Sequence, residues 1–394
     1  MNDNFYIEVG SAQRSHLGER ICGDVFLSEK VKEEGRTVVV LSDGMGHGVK
    51  ANLLATLTAT MALNFTKEHK DVQKIAEIIM NTLPVCSERK ISYATFTIID
   101  VEKDGQATIL NYDNPDPILL KNREVFVPEW HSMTVEGDEN TTKEIKACTY
   151  TLEKEDRIVI MSDGITQSGL GQANFLLGWG RDNVEKNLLS LIKEQPDLSA
   201  AKLSSLIVNK AHSHDQYQAK DDTSAVVVYC REPRRLLICS GPPFEKDKDK
   251  ELANIVKTFD GKKILCGGTT ADIVSRELNI SIEDHLVFDD PDLPPLSYME
   301  GIDLVSEGIL TLSKTAGILD EWSPSSETGK GPAHQIVKQI MESDEIYFVV
   351  GTAINVAHQD PNLPVELEIR RSVIKKIAGI LESKFLKDVN LRFI

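Results

Sequence analysis

Five aspartates stand at the ends of strand-like runs: Asp24 in CGD, Asp43 in SDGMGHG, Asp163 in SDG, and Asp221 with Asp222 in KDDTS. Carboxylates at strand ends share one rim of a sheet and can converge although far apart in sequence. Hard cations such as magnesium and manganese take oxygen ligands and keep several waters. Two such ions sharing one aspartate would hold a water between them, lower its pKa and aim it at phosphorus. A glycine beside the ligand lets a backbone carbonyl approach as well. Any single Asp-Gly pair reads as a turn; the weight lies in the order of the whole set.

Strands and helices must carry these residues to one place. RTVVVLS (36–42) is a β-branched run of the buried-strand type, and it stops at Asp43. Residues 5–10 and 24–28 are shorter strand candidates. Runs 92–101 and 107–112 flank Lys103-Asp104-Gly105, a hairpin signal. RIVIM (157–161) repeats the strand-then-Asp-Gly pattern, and TSAVVVY (223–229) closes the block. Helices are expected over 49–65, 71–83 and 200–213. The first is the longest apolar stretch. It carries Asn52, Asn64 and several threonines and is short for a bilayer span, so it reads as a buried helix.

REPRR (231–235) reads as a linker, after which strands and helices alternate. A strand over 236–239 ends at GPP and precedes a helix over 248–258, whose KDKDKE start reads as solvated. A strand over 263–265 runs into CGGTT and a helix to 278. A strand over 345–350 ends in GTA, and a helix over 373–386 precedes a short final strand. This is the grammar of βαβ units and a parallel sheet. Two domains are expected, 1–231 and a smaller α/β domain over 235–394 with a Rossmann-like, mostly parallel sheet. Gly267, Gly268, Thr269 and Thr270 open a helix after a strand, where free N–H groups can hold an anion. A small ligand there is one reading, and an ordinary glycine turn the other.

The 394 residues carry 44 Lys+Arg against 61 Asp+Glu, a net charge of −17, with 41% hydrophobic and 27% charged residues. That is an ordinary globular composition, long enough for two domains. An acidic surface repels phosphate backbones and anionic lipid, which excludes general nucleic-acid or membrane-surface binding. The first residues lack a basic stretch followed by an apolar run, so no signal peptide is read. The six cysteines are scattered without a CxxC pair, which suits reduced thiols and a cytoplasmic location.

The order GD, DGMGHG, apolar helix, SDG and KDDTSAVVV resembles the SpoIIE-like branch of the metal-dependent type 2C serine/threonine protein phosphatases, over about the first 230 residues. The resemblance implies an α+β fold in which two antiparallel sheets are flanked by helices, an αββα sandwich. It also implies a site for two manganese or magnesium ions. In it Asp24 binds one metal, Asp43 bridges both with help from the Gly44 carbonyl, and Asp163 and Asp221 complete the set. Asp222 then caps or orients its turn. The implied substrate is a phosphorylated bacterial regulatory protein. NYDNPDP (111–117) stands where the family commonly has Ala-Gly-His, and Gln167 where Glu is frequent; both departures bear on substrate contacts.

Arg14 and Arg20 are candidates for phosphate contact. His47 is either a proton donor to the leaving oxygen or a solvated turn residue, and His212 with His214 reads as a solvated helix end. An inactive scaffold with a ligand-binding C-terminal domain, or a small-molecule phosphatase, are the alternatives, and a homodimer is open. The signature begins close to residue 1, so control within the chain is expected from the C-terminal block or from a partner.

Overall fold

A computed structural model describes residues 5–31, 33–68, 74–75, 78–79, 82, 94–136, 142–284, 290–322, 329–353, 366–385 and 387–394. The helix expected over 71–83 lies mostly outside the described residues, as does Cys86. The chain divides into two units, Met1–Glu232 and Pro233–Ile394.

The strands of the first unit are β1 (Tyr6–Arg14), β2 (Val25–Val31), β3 (Arg36–Gly44), β4 (Ala94–Val101), β5 (Gln106–Tyr112), β6 (Ile118–Lys121), β7 (Glu124–Phe126), β8 (His131–Glu136), β9 (Thr142–Thr151), β10 (Arg157–Met161) and β11 (Thr223–Arg231). They form two antiparallel sheets, ordered β2-β3-β4-β5-β9-β8 and β1-β11-β10-β6-β7. The helices are α1 (Gly48–Lys67), α2 (Asp163–Thr166), α3 (Arg181–Glu194) and α4 (Ala200–His214).

The uninterrupted apolar runs follow from burial on both faces. Val39 and Leu41 of β3 meet Ile158, Ile160, Val226 and Val228 of the other sheet, between the two layers. Val38 and Val40 point the opposite way, against Ala59 and Ala62 of α1. Val159, Met161 and Val227 likewise pack on Leu188, Leu203 and Ile207 of α3 and α4. Period-2 alternation therefore separates two apolar sets rather than an apolar from a polar one. The layers are helix, sheet, sheet, helix, the αββα sandwich of an α+β fold.

The helix read as buried is only half so. Ala51, Ala55, Ala59 and Ala62, with Thr58 and Thr66, face the sheet, while Val49, Leu53 and Leu57 are exposed. Small inward residues let α1 lie close on β3, and composition alone does not tell which face of an apolar helix is covered.

The second unit contains β12 (Arg235–Ser240), β13 (Lys262–Cys266), β14 (Ile282–Asp284), β15 (Ser297–Met299), β16 (Ile302–Ser306), β17 (Glu345–Val350) and β18 (Asp388–Phe393). They form one sheet, ordered β14-β15-β16-β13-β12-β17-β18. The five strands from β16 to β18 are parallel, and β14 and β15 add an antiparallel edge. Taken in chain order, the parallel strands lie 3-2-1-4-5, the Rossmann arrangement. The helices are α5 (Asp249–Thr258), α6 (Gly268–Leu278), α7 (Ile309–Glu321), α8 (Pro332–Met341) and α9 (Glu366–Ser383). No helix among the described residues is long and apolar enough to cross a membrane.

Candidate active site

Each sheet of the first unit contributes two carboxylates to one cluster. Asp24 directly precedes β2 and Asp43 lies near the end of β3, and the pairing of Val25 with Ser42 sets these two ends side by side. Asp163 begins α2 just beyond β10, Asp221 precedes β11, and the pairing of Met161 with Ala225 does the same for them. The sandwich brings the two pairs together across its layers.

The glycines of the two Asp-Gly pairs serve packing rather than turning. Gly44 closes β3, and a Cβ on it would lie 2.1 Å from the Ala51 carbonyl oxygen of α1. Gly164 lies in α2, and a Cβ there would lie 2.1 Å from the Asp222 carbonyl oxygen. Backbone pressed on backbone cannot swing aside. Gly164→Ala is expected to cost about 3 kcal/mol and to lower the melting temperature by several degrees. A variant melting within about one degree of wild type would show that α2 and the start of β11 move apart freely.

Asp24 is buried, and three polar side chains surround it. Ser224 Oγ donates to its Oδ2 at 2.6 Å. Gln13 Nε2 donates to Ser224 Oγ at 3.0 Å and to the Asp24 main-chain oxygen at 3.2 Å. The nearby Ser162 hydroxyl also favours the ionised carboxylate. Burial outweighs these bonds and pushes Asp24 up to about 7. Burial, then repulsion from Asp24, Asp163 and Asp221, pushes Asp43 up to about 10. The cluster therefore keeps a proton on Asp43, the carboxyl that feels the other three. Burial also raises Asp163, and burial followed by the Asp163 charge raises Asp221 to about 6.

Such crowding favours positive charge. The donors are all oxygens, and the Oδ1 of Asp24 is buried without a hydrogen-bond partner among the described residues, so the set fits a hard divalent cation. Among the described residues no three His, Cys, Asp or Glu side chains form a ready-made metal cage.

The neighbouring residues divide by where they point. Asp222 is buried, and its Oδ1 accepts the His16 N–H at 3.0 Å, which ties the loop after β1 to the start of β11. Gln167 Nε2 donates to Asp163 Oδ2 at 2.7 Å, a bond that an ionised Glu could not make. His47 Nδ1 lies 2.9 Å from Glu19 Oε1, and its ring stacks on His16 at 4.4 Å between centroids. Arg14 is not brought to the carboxylates: its guanidinium reaches Asn209 Oδ1 on α4. Arg20 is exposed in the loop between β1 and β2. His212 and His214 are half-buried rather than solvated, His214 against Phe175 and Trp179 and His212 against Tyr217.

Sequence reasoning passed over Gln13, Ser162 and Ser224. The available signal was a hydroxyl beside each carboxylate motif, one residue before Asp163 and two after Asp222.

In the second unit the residues Gly267, Gly268, Thr269 and Thr270 do open α6. The Gly267 N–H is taken by the Ser306 carbonyl at 2.8 Å, and the Thr270 hydroxyl accepts the Gly241 N–H at 2.8 Å. Gly268 and Thr269 are exposed.

The family model for Stage II sporulation protein E (SpoIIE) matches residues 33–231 of the 394. The chain belongs to the SpoIIE family. Its first unit is a protein phosphatase domain of the SpoIIE and type 2C kind, and Asp24 lies outside the matched stretch although the fold carries it into the cluster. Among solved structures, the chain is similar to the PP2C phosphatase domain with a fragment of the regulatory domain of the cell fate determinant SpoIIE from Bacillus subtilis. The identity is 19% over 58% of this chain and 64% of that chain, with a TM-score of 0.46. The phosphatase domain of the same determinant, in a crystal form without domain swapping, matches at 16% identity over 58% and 93%, with a TM-score of 0.42. RsbX in complex with magnesium matches at 20% identity over 57% and 95%, with a TM-score of 0.41. No curated protein matches in sequence.

Proposed function

We propose that the SpoIIE domain hydrolyses phosphoserine or phosphothreonine on a bacterial regulatory protein in the cytoplasm, using two divalent cations, manganese or magnesium. The observation that carries this reading is the cluster itself. Burial raises the pKa of all four carboxylates, drawn from two sheets, and the charges of Asp24, Asp163 and Asp221 raise Asp43 further, an arrangement that costs stability and that positive charge relieves. Asp24, Asp43, Asp163 and Asp221 would hold the cations, with the Gly44 carbonyl assisting. Asp43, which feels Asp24, Asp163 and Asp221 together, would take the bridging place. Bound cations would acidify a water and screen the charge of the phosphate.

The surrounding residues keep the carboxylates in place: Gln167 holds Asp163, and Ser224 holds Asp24. The second unit, with its Rossmann strand order, is the regulatory or ligand-binding part of this proposal.

The test is phosphate release from a phosphoserine peptide and from p-nitrophenyl phosphate, with manganese and after chelation. Release from both that vanishes on chelation and returns with manganese is expected. Activity that survives chelation would remove the metal reading. Activity on p-nitrophenyl phosphate alone would remove the protein substrate.

A further inference from the structure

The contacts from Gln13 through Ser224 to Asp24 run in one direction. Gln13 Nε2 faces two atoms, the Asp24 main-chain oxygen at 3.2 Å and Ser224 Oγ at 3.0 Å. A main-chain oxygen only accepts, so the atom facing it is the amide nitrogen, and Ser224 Oγ receives an N–H from the same group. The single proton of the Ser224 hydroxyl is left to go onward to Asp24 Oδ2, and the 2.6 Å separation is that of a short charge-assisted bond.

The donors are fixed in one sheet and the acceptor in the other. Gln13 and Ser224 are register partners across β1 and β11, and Ser224 is fully buried. Ser162, just after β10, accepts the Ser224 N–H on its Oγ at 2.9 Å. Asp24 leads into β2 of the opposite sheet, 200 residues from Ser224 in sequence. With Oδ2 taken by Ser224, Oδ1 is the buried oxygen without a hydrogen-bond partner among the described residues.

We infer that Gln13 and Ser224 are positioning residues that hold the Asp24 carboxylate with Oδ1 turned free for a cation and set the spacing between the two halves of the carboxylate cluster. The inference rests on the metal reading given above. A tie between sheets that served only stability would lower the melting temperature when cut and leave cation affinity unchanged. A relay that presents Oδ1 must change the affinity, because a carboxylate released from Ser224 can rotate both oxygens away.

The experiment follows the manganese-induced rise in melting temperature of the full chain, titrated from chelated protein, with phosphate release measured in parallel. Ser224→Ala is expected to need about 10- to 100-fold more manganese for the half-maximal rise. At saturating manganese its phosphate release should return to within a few-fold of wild type. Ser224→Thr keeps the hydroxyl and should restore the wild-type midpoint. Gln13→Leu changes an exposed position and should raise the midpoint by a smaller factor, about 3- to 10-fold; it decides the matter if Ser224→Ala does not fold. Variants that melt lower yet bind manganese as tightly as wild type would overturn the relay alone. A wild type whose melting temperature ignores manganese would overturn the metal reading, and the relay with it.

Discussion

Asp43→Asn should lose phosphate release by about a thousandfold or more at saturating manganese, while the metal-free protein becomes more stable. The two effects have one origin. Asp43 lies in contact with Asp24 and Asp163 and feels Asp221, so it is the carboxylate through which the two sheets' halves of the site meet. Asn keeps its shape and removes the anion. A thousandfold loss corresponds to about 4 kcal/mol of transition-state stabilisation, a reasonable share for the group that would bridge two cations.

The stability gain follows from proton linkage. Burial and its neighbours push Asp43 up to about 10, so at neutral pH the folded metal-free protein keeps it protonated while the unfolded chain ionises it. Folding must take up that proton, at about 1.4 kcal/mol per unit of difference between the pH and the unfolded pKa. Asn needs no proton, and a gain on the order of 2–4 kcal/mol is expected near pH 7. Melting in chelator should therefore rise by roughly 5 °C or more in the transition of the first unit. A variant that was merely damaged would lose both activity and stability. Retention of more than about a tenth of the activity, or a lower melting temperature in chelator, would sink the assignment of Asp43.

The strands that carry the aspartates were legible because they are buried on both faces. RTVVVLS, RIVIM and TSAVVVY are runs that few other environments accept, and each ends at or begins beside a carboxylate. The assembly of the cluster was not legible, because it depends on which strands pair. Nothing local to Asp24 says that a serine 200 residues away donates to it. The glycines of the Asp-Gly pairs were open to a turn reading, since a turn and a close backbone approach select the same residue. Only the 2.1 Å clearances to Ala51 and Asp222 distinguish the two.

α1 shows the opposite failure. Its apolar content is real, yet the tight approach to β3 selects alanine and threonine inward and leaves Val49, Leu53 and Leu57 outward. In the second unit, β14 and β15 are three residues each, too short to show any period. The β12, β13 and β17 runs stood out because parallel strands covered on both faces are continuously apolar.

Metal-free protein should lose a few kcal/mol of stability between pH 5 and pH 8, the reverse of ordinary acid denaturation. Asp24, Asp43 and Asp221 are pushed up to about 7, about 10 and about 6, and Asp163 is raised as well, against about 3.9 in the unfolded chain. Between those limits the native state still holds protons that the unfolded state has released, so the stability of the fold falls as pH rises. The contribution is fully present below about pH 4 and is lost as pH passes through the folded values. Asp221 is half-exposed and counts for less than Asp24.

Manganese reverses the sign, because cation binding needs the carboxylates deprotonated and so strengthens with pH. The melting temperature in chelator should fall from pH 5 to pH 8 while the manganese-induced rise grows over the same range. Two outcomes would count against the cluster as the source. One is a chelated melting temperature that is flat or rising across that window. The other is an undiminished slope in the Asp24→Asn, Asp43→Asn, Asp221→Asn triple variant, which has no proton left to release at any of the three positions.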